Sequence, residues 1–228
     1  MDVIGQTSDG VRVFTSELGQ GQDPRVLAHE LGFAIERPLD AVRNDAGVIE
    51  LRFLVRPATD EPGPRQQDRG RDADLEIEPG TPIEVRQRVA AYAVVVSERG
   101  LLATEFSDRT SVPGRWGMPG GGIDTDEQPT DALLREVAEE TSQQVELGPL
   151  VEVQTSHWIG RSPRDTVEDY HAVRLVYSAT CPNPTQPIVL DIGGTTESAR
   201  WVPLGQWRTL NWTAGWQQIL RKRVGPPA

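Results

Sequence analysis

One stretch of this chain joins a run of glycines to a cluster of acidic residues, and it constrains the fold more than any other feature. Glycines stand at 120–122, and Glu136, Glu139 and Glu140 follow them. Helical residues three and four positions apart lie on one side, so these carboxylates would crowd together. Each like-charged pair of that kind costs an isolated helix about 0.2–0.5 kcal/mol, which indicates a helix that functions with a counter-ion.

The same segment has the pattern of a two-faced helix. Leu133 and Val137 repeat at helical spacing and predict a buried side opposite the carboxylates. Pro129 suits the first turn, where its missing N–H would be unpaired in any case, and Asp131 lies near the positive end of the helix dipole. We expect Mg²⁺ or Mn²⁺ as the counter-ion, with phosphate oxygens of a substrate completing its coordination.

The spacing of these residues resembles the signature of the Nudix hydrolases. That signature is a glycine, five residues, a glutamate, seven residues and then Arg-Glu-apolar-x-Glu-Glu-x-Gly-apolar. The residues that agree with it are Gly121, Glu127, Arg135, Glu136, Val137, Glu139 and Glu140. Ser142 and Gln143 depart from it, where the family has a glycine and an apolar residue. Both follow the helix, so the departures concern its C-terminal cap rather than the carboxylates.

The resemblance covers roughly residues 86–222 and implies a fold and a metal site. The implied fold is an α/β/α sandwich with a mixed sheet. Glu136, Glu139 and Glu140 would ligate Mg²⁺ or Mn²⁺. The implied activity is that of a pyrophosphohydrolase, in which water attacks a phosphorus of a diphosphate linkage.

Further roles follow from the same resemblance. Arg135 would pair with Glu127 and brace the loop against the helix. The segment before the signature looks like the family's usual lead-in, and the residues expected on its substrate side are Trp116, Gly120, Gly121 and Gly122.

The resemblance leaves the general base open between a signature glutamate and a later carboxylate on a loop. Glu197, four residues before Trp201, is the first candidate for a base or a fourth metal ligand. Glu168 and Asp169, expected in a loop between two strands, come second. A solvated surface acid is the more frequent role for each of them.

Substrate specificity is less well marked. Trp158, Arg161 and Arg164 fall in an expected polar loop that could offer a stacking face and phosphate contacts, although an ordinary loop is the more frequent alternative. The histidines are better explained as structural residues than as ligands, and they are His29, His157 and His171.

Composition divides the chain into three parts. Residues 1–56 predict a small β-α-β-β unit with a hairpin around 44–47. Residues 57–82 are rich in Pro, Gly and charged residues, which is typical of a linker or mobile loop. Residues 83–224 would form the catalytic domain, which opens with the buried strand Val89–Val96. We expect the first unit to serve packing or homodimerisation, with an active-site lid as the alternative.

The catalytic part also predicts a regular series of later elements. The expected strands are Leu101–Phe106, Leu150–His157, Tyr170–Thr180 and Ala199–Val202. A closing helix is expected at Thr213–Lys222, capped by Thr213.

Charge and composition limit the classes of partner that we expect for this chain. A net charge of −11 argues against gripping a nucleic-acid backbone, so we expect a small nucleotide substrate. The longest apolar run is of strand length and the N-terminus lacks the pattern of a signal peptide, so we expect no membrane contact and a cytoplasmic location. The single cysteine, Cys181, excludes an internal disulfide and is expected to be buried or inert.

Two other functions remain as alternatives. A non-catalytic nucleotide sensor on the same fold is expected to lose metal glutamates or gain a DNA-binding segment, whereas this chain retains all three glutamates and is acidic. An isomerase or an RNA-decapping enzyme is the other alternative, and decapping favours a basic path for RNA that this composition does not provide.

Overall fold

The structure is a computed structural model, and it describes residues 1–59, 62–162 and 165–224. In these ranges the chain forms a four-stranded and an eight-stranded sheet together with helices. Both sheets contain parallel and antiparallel neighbours. The predicted α/β class, with a mixed sheet and a small N-terminal sheet before it, is confirmed.

The N-terminal sheet contains one strand more than the sequence predicted. Its elements are β1 (Asp2–Gln6), β2 (Arg12–Glu17), α1 (Pro24–Glu30), β3 (Phe33–Arg43) and β4 (Ile49–Pro57). The strand order is β2-β1-β4-β3, and β1 runs parallel to β4. The missed strand β1 has a short apolar core of two residues followed by a glycine, which is a weak strand signal; it is ordered by pairing on both of its sides.

Local sequence explains the other elements of this sheet. In β4, Ile49, Leu51, Phe53 and Val55 are buried and alternate with less buried residues, as expected of a strand with one face on a core. Helix α1 begins after Asp23, whose side chain accepts a hydrogen bond of 2.7 Å from the N–H of Arg25.

Most strands of the larger sheet come from residues 83–224, the predicted catalytic domain. Its strands are β5 (Gly70–Arg71), β6 (Glu84–Ser97), β7 (Gly100–Phe106), β8 (Trp116–Gly117), β9 (Gly120–Gly122), β10 (Glu146–Arg161), β11 (Val167–Thr180) and β12 (Thr196–Val202). The order is β12-β7-β6-β11-β10-β5, with β8 paired to β7 and β9 paired to β6. The helices that accompany these strands are α2 (Pro129–Thr141), a 3₁₀ helix (Leu204–Thr209) and α3 (Ala214–Arg223).

The chain divides into two compact units. The first comprises residues 1–90, 124–129 and 150–176, and the second comprises residues 91–123, 130–149 and those from Tyr177 onward. In the second unit, Leu133 and Val137 of α2 are fully buried, so the predicted apolar side of this helix is confirmed. The first unit extends well beyond the N-terminal sheet, because it includes the loop before α2.

The segment 57–82 is anchored rather than mobile where the structure describes it. Leu75 is buried in a small apolar cluster with Ile159 and Val167, and β5 pairs with β10. Asp72 contributes a further anchor, since its N–H donates to the carbonyl oxygen of Ile159 and its carboxylate accepts from the N–H of Arg161. One buried leucine and a short strand are enough to fix a segment whose average composition is polar.

Strands β10 and β11 are longer than predicted. Trp158 and Arg161 therefore lie in β10, and Glu168 and Asp169 lie in β11, so the expectation of a loop at these four positions was wrong. Polar side chains do not end a strand that has one accessible side, which is why composition marked the ends too early. Arg164 lies outside the described residues.

The C-terminal helix begins as predicted but is capped differently. Thr213 occupies the N-cap position of α3, yet its side chain makes no capping hydrogen bond. None of the helices in the described ranges has the length and hydropathy that a membrane-spanning helix requires.

His171 is a buried titratable group in the first unit. It is fully buried in β11, and its Nδ1 lies 3.1 Å from Nε2 of Gln87, which can only donate. The proton of the neutral ring is therefore on Nε2, which has no hydrogen-bond partner among the described residues. Burial and the charge of His157 lower the pKa of His171 to about 4, although the carboxylates of Asp23 and Asp169 oppose the shift.

This shift predicts a pH dependence of stability. The unfolded chain, with an imidazole pKa near 6.5, binds a proton at pH values where folded His171 stays neutral. The free energy of unfolding should therefore fall by up to about 1.4 kcal/mol per pH unit as the pH drops from about 6.5 to about 4. Urea denaturation across this range in wild type and His171→Gln measures it, and equal slopes in both proteins would contradict it.

Candidate active site

The glycine strand β9 lies against the backbone of β6. Gly120 has φ = +135°, and a Cβ at this position would lie 2.2 Å from the carbonyl oxygen of Ala91. Just before it, the carbonyl oxygen of Pro119 accepts a hydrogen bond of 3.0 Å from the N–H of Ala93. Only glycine fits such an approach, so the first glycine of the run serves the close contact of two strands.

Glu140 is a buried carboxylate at the end of α2. It accepts a hydrogen bond of 2.8 Å from the N–H of Gly120 and another from the hydroxyl of Thr196. Burial raises the pKa of Glu140 to about 7, although the bonds from Thr196 and Gly120 oppose the shift. The negative charges of Glu136 and Asp191 raise it further, so a cation at this place would relieve a repulsion already present.

Glu136 and Glu139 share one arginine. Nη1 of Arg135 lies 3.0 Å from Oε1 of Glu136 and 3.2 Å from Oε2 of Glu139, and its Nη2 donates to the carbonyl oxygen of Gly122. The carboxylate of Glu136 also lies against Gly121, where a Cβ would come within 2.5 Å of it. One positive charge therefore compensates two carboxylates beside the glycine strand.

The three glutamates offer the oxygen atoms that a hard cation prefers, but their present arrangement is not that of a formed metal site. Within the part of the chain that the structure describes, no group of three or more His, Cys, Asp or Glu side chains is arranged to hold a metal ion. The reason is visible at each residue: Glu140 faces Gly120 and Thr196, while Arg135 takes up the other two carboxylates. Mg²⁺ needs only one or two carboxylates, and substrate and water oxygens are its other ligands. Glu136 and Glu139 can supply these carboxylates.

The loop before α2 is a closed turn. The N–H of Glu127 donates to the carbonyl oxygen of Asp124, and the carboxylate of Glu127 accepts a hydrogen bond of 3.1 Å from the N–H of Asp124. The expected pairing of Glu127 with Arg135 stays a prediction.

The two departures from the signature have a structural explanation. Ser142 has φ = +55° and its N–H donates to the carbonyl oxygen of Ala138, so it occupies the left-handed cap that the family gives to glycine. Gln143 is buried, and its amide is satisfied by Thr141 and by the N–H and hydroxyl of Thr185. A hydrogen-bonded amide thus takes the place of an apolar side chain.

Sequence reasoning missed the loop that borders α2 from later in the chain. Thr196 supplies the hydroxyl to Glu140, and the N–H groups of Leu190 and Asp191 donate to the carbonyl oxygen of Glu139. These residues follow α2 by about fifty positions and belong to no local motif. A hydroxyl at the start of a strand gives no signal in a single sequence that would link it to a distant glutamate.

The candidates for the general base differ in their surroundings. Glu197 is exposed in β12, whereas the adjacent Thr196 is buried against Glu140. Glu168 forms an ion pair of 3.2 Å with Arg86. The assignment of Glu197 stays a prediction.

Asp169 is held by three partners in the first unit. Burial alone would raise the pKa of Asp169, but hydrogen bonds from Gln20, His157 and Arg69 outweigh it and bring the pKa to about 2. A carboxylate with such a low pKa is a weak base near neutral pH, so the surroundings of Asp169 favour a structural role.

The aromatic residues expected near the substrate are largely covered. Trp116 is buried, and the guanidinium of Arg200 lies 4.2 Å from the centre of its ring. Trp158 packs on Tyr170 with ring centres 4.6 Å apart. Each indole thus has a neighbour over its ring, and contact of Trp116 with a substrate stays a prediction.

Arg161 is occupied by its own hairpin. Its Nη1 lies 3.0 Å from the carboxylate of Asp165, and its Nη2 donates to the carbonyl oxygen of Glu76. Contact of Arg161 with a substrate stays a prediction.

Comparison with known proteins gives one extended match and several short ones. The family model described as the NUDIX domain matches residues 86–222. An RNA pyrophosphohydrolase from a Nitratiruptor species is 44% identical over 57 residues, which are 24% of this chain and 37% of that protein. A nucleoside triphosphatase NudI from an Enterobacter species is 34% identical over 64 residues, which are 28% of this chain and 45% of that protein.

The chain thus spans less than half the length of these two relatives, 37% and 45%. Among solved structures, a MutT protein from Methanosarcina mazei Go1 is similar over 63% of this chain and 96% of that chain, with 17% identity and a TM-score of 0.47.

The first two glycines of β9 should respond differently to alanine. In Gly121→Ala the new methyl group meets the movable carboxylate of Glu136, so the fold should persist while Glu136 is displaced. We expect Mn²⁺ affinity to fall by about 10-fold or more, as for changes that reorient a metal ligand. Calorimetric titration measures it, with Gly205→Ala as the control because a Cβ at Gly205 meets open space.

Gly120→Ala should instead prevent folding, because its methyl group would meet the backbone of Ala91 and φ is positive. Thermal unfolding compares the variants. Wild-type Mn²⁺ affinity in Gly121→Ala, or a stable Gly120→Ala protein, would contradict this account of the glycine strand.

Proposed function

The chain belongs to the NUDIX domain family, and on that premise we propose that it is a metal-dependent pyrophosphohydrolase. Its substrate would be a nucleoside diphosphate linked to another group, such as a nucleoside triphosphate, ADP-ribose or a nucleotide sugar. The observation that carries the proposal is the pair Glu136 and Glu139, two accessible carboxylates that share one guanidinium beside a glycine strand. The family resemblance read from the residues is confirmed.

The roles of the residues follow from their positions. Glu136 and Glu139 would hold Mg²⁺ or Mn²⁺, with Glu140 as the third ligand that the family resemblance implies. A bound metal ion supplies charge neutralisation on the diphosphate oxygens and lowers the pKa of a bound water. Because Gly121 has no side chain, the carboxylate of Glu136 can lie directly against the glycine strand.

Hydrolysis would proceed by attack of water on one phosphorus and cleavage of its bond to the bridging oxygen. The general base would be a signature glutamate or Glu197. Arg135 would move no proton, because a guanidinium stays charged at any relevant pH. Its role would be to bridge the two carboxylates and keep Glu136 aligned.

The expected substrate is small. The two relatives are named for cleavage of an RNA pyrophosphate and of nucleoside triphosphates, and a diphosphate linkage is common to both. A net charge of −11 disfavours a long RNA path, so a free nucleotide derivative is the better candidate. A reducing compartment such as the cytoplasm suits its single unpaired cysteine, and dimerisation through residues 1–56 stays a prediction.

A non-catalytic nucleotide sensor is the second candidate, and one observation favours it. Arg135 already compensates Glu136 and Glu139, so these carboxylates have a counter-charge without a metal ion. A sensor would bind nucleotide without turnover, which separates the two functions by experiment.

The experiment is a substrate panel with a matched pair of variants. Release of phosphate or monophosphate is measured from nucleoside triphosphates, nucleotide sugars, ADP-ribose and dinucleotides, with Mg²⁺, Mn²⁺ or a chelator. We expect metal-dependent cleavage of one class. Glu139→Gln should reduce kcat by about 100-fold or more, because a metal ion contributes several kcal/mol and each 1.36 kcal/mol is tenfold.

Asp131→Asn is the control, since it removes one exposed charge from the first turn of the same helix. Full activity in Glu139→Gln would contradict the role of this residue. Nucleotide binding without turnover across the panel would instead favour the sensor.

A further inference from the structure

The turn between β3 and β4 contacts the loop that leads into the acidic helix. This loop, residues 124–128, follows the glycine strand and contains the signature residue Glu127. Arg43, the last residue of β3, makes most of the contacts. We propose that Arg43 is a positioning residue that fixes this loop, and that the N-terminal sheet is thereby part of the catalytic apparatus; the proposal rests on the proposed function.

The backbone of Arg43 pairs with a side-chain amide. Its N–H donates to Oε1 of Gln128 at 2.9 Å, and its carbonyl oxygen accepts from Nε2 of Gln128 at 2.9 Å. Gln128 thus reproduces the pair of hydrogen bonds that a neighbouring strand would make. The position directly before Pro129, the first residue of α2, is fixed in this way.

The guanidinium of Arg43 binds both ends of the turn formed by residues 124–127. Its Nε donates to the carbonyl oxygen of Glu127 at 3.0 Å, and its Nη2 donates to that of Asp124 at 3.3 Å. Its Nη1 donates to the carbonyl oxygen of Gly47 at 2.6 Å. The planar fork of an arginine can bridge three carbonyl groups at once, whereas a lysine ammonium is a single point charge.

The hairpin that carries Arg43 is itself well fixed. Oδ1 of Asn44 accepts hydrogen bonds of 3.0 Å from the N–H groups of Ala46 and Val48, and the N–H of Asn44 donates to the carbonyl oxygen of Val48. Gly47 has φ = +77°, as the turn requires. Arg43 therefore presents its donors from a rigid support.

The loop combines an internal turn, closed by hydrogen bonds between Asp124 and Glu127, with exposed residues. Asp124, Thr125 and Asp126 are exposed, and Asp126 has φ = +66°, a conformation that a residue other than glycine adopts at a cost. The contacts of Arg43 add to these internal bonds in holding the conformation of the loop. The loop leads directly into the first turn of α2, the helix that carries Glu136 and Glu139.

The other arginines of the N-terminal sheet are used differently. Arg52 pairs with Glu50 and Asp40 of its own sheet, and Arg56 lies 3.9 Å from Glu36. Arg56 also donates to the carbonyl oxygen of its neighbour Pro57, whereas Arg43 directs its guanidinium at two carbonyl groups of the loop. This difference makes Arg56→Ala a matched control for Arg43→Ala.

The experiment compares Arg43→Ala, Arg43→Lys, Gln128→Ala and Arg56→Ala in the full chain. Hydrogen exchange of peptides that cover residues 123–129 measures the loop, and titration with Mn²⁺ alone measures the metal site. We expect faster loop exchange and an increase of about 10-fold in the half-saturating Mn²⁺ concentration for Arg43→Ala, as for loss of an outer contact to a metal site.

The third measurement is the steady-state kinetics of the variants. Arg43→Ala should lower kcat by about 10- to 100-fold with little change in KM, because a small misplacement of catalytic groups acts on the chemical step. Arg43→Lys should restore only part of the loss, since it retains the charge without the fork. Arg56→Ala should match wild type in every reading.

Wild-type loop exchange and Mn²⁺ affinity in Arg43→Ala would overturn the proposal. If that variant does not fold, Gln128→Ala decides in its place: faster loop exchange and weaker Mn²⁺ binding support the role, and wild-type values overturn it. A wild-type protein that cleaves nothing contradicts the proposed function alone, because loop exchange and Mn²⁺ binding still test Arg43.

Discussion

A buried carboxylate holds the candidate site together. Glu140, at the end of α2, accepts hydrogen bonds from the backbone of Gly120 in β9 and from the hydroxyl of Thr196 in β12. An ionised carboxylate removed from water is unfavourable unless such partners replace the water. Three elements therefore have one common fixed point, and burial raises the pKa of Glu140 in spite of these partners.

The arrangement divides the acidic cluster into two kinds of carboxylate. Glu140 is buried and bound to fixed donors, whereas Glu136 and Glu139 are more accessible and depend on a side chain, Arg135. A flexible guanidinium can yield its place to a divalent ion at far lower cost than a backbone N–H can. The same helix thus carries one carboxylate with fixed partners and two whose partner is a movable side chain.

How much the sequence predicted depended on how local each interaction is. The helix that carries the acidic cluster and the hairpin around 44–47 were predicted, and both are correct because periodicity and turn residues act over a few residues. The family signature is local too. Strand β1, the anchoring of Leu75 and the full length of β10 were missed, because each depends on pairing with a distant segment.

The site shows the same limit. Glu136, Glu139, Glu140 and Arg135 were predicted, since they lie on one helix. Two contacts were not predicted: Thr196 binds Glu140, and Arg43 binds the loop before the helix. Both residues are remote in the chain, and neither has an unusual local context. A single sequence records which residues are present but not which of many arginines or threonines meets a given loop.

The amide at Gln143 has a consequence for how relatives of this chain vary. The family signature has an apolar residue there, and in this chain a glutamine is buried because Thr185 satisfies its amide with both an N–H and a hydroxyl. Loss of the hydroxyl alone would leave a buried donor unpaired, which costs about 1–3 kcal/mol. The two positions are therefore expected to change together during evolution, so that a lineage with an apolar residue at the first is free to lose the hydroxyl at the second.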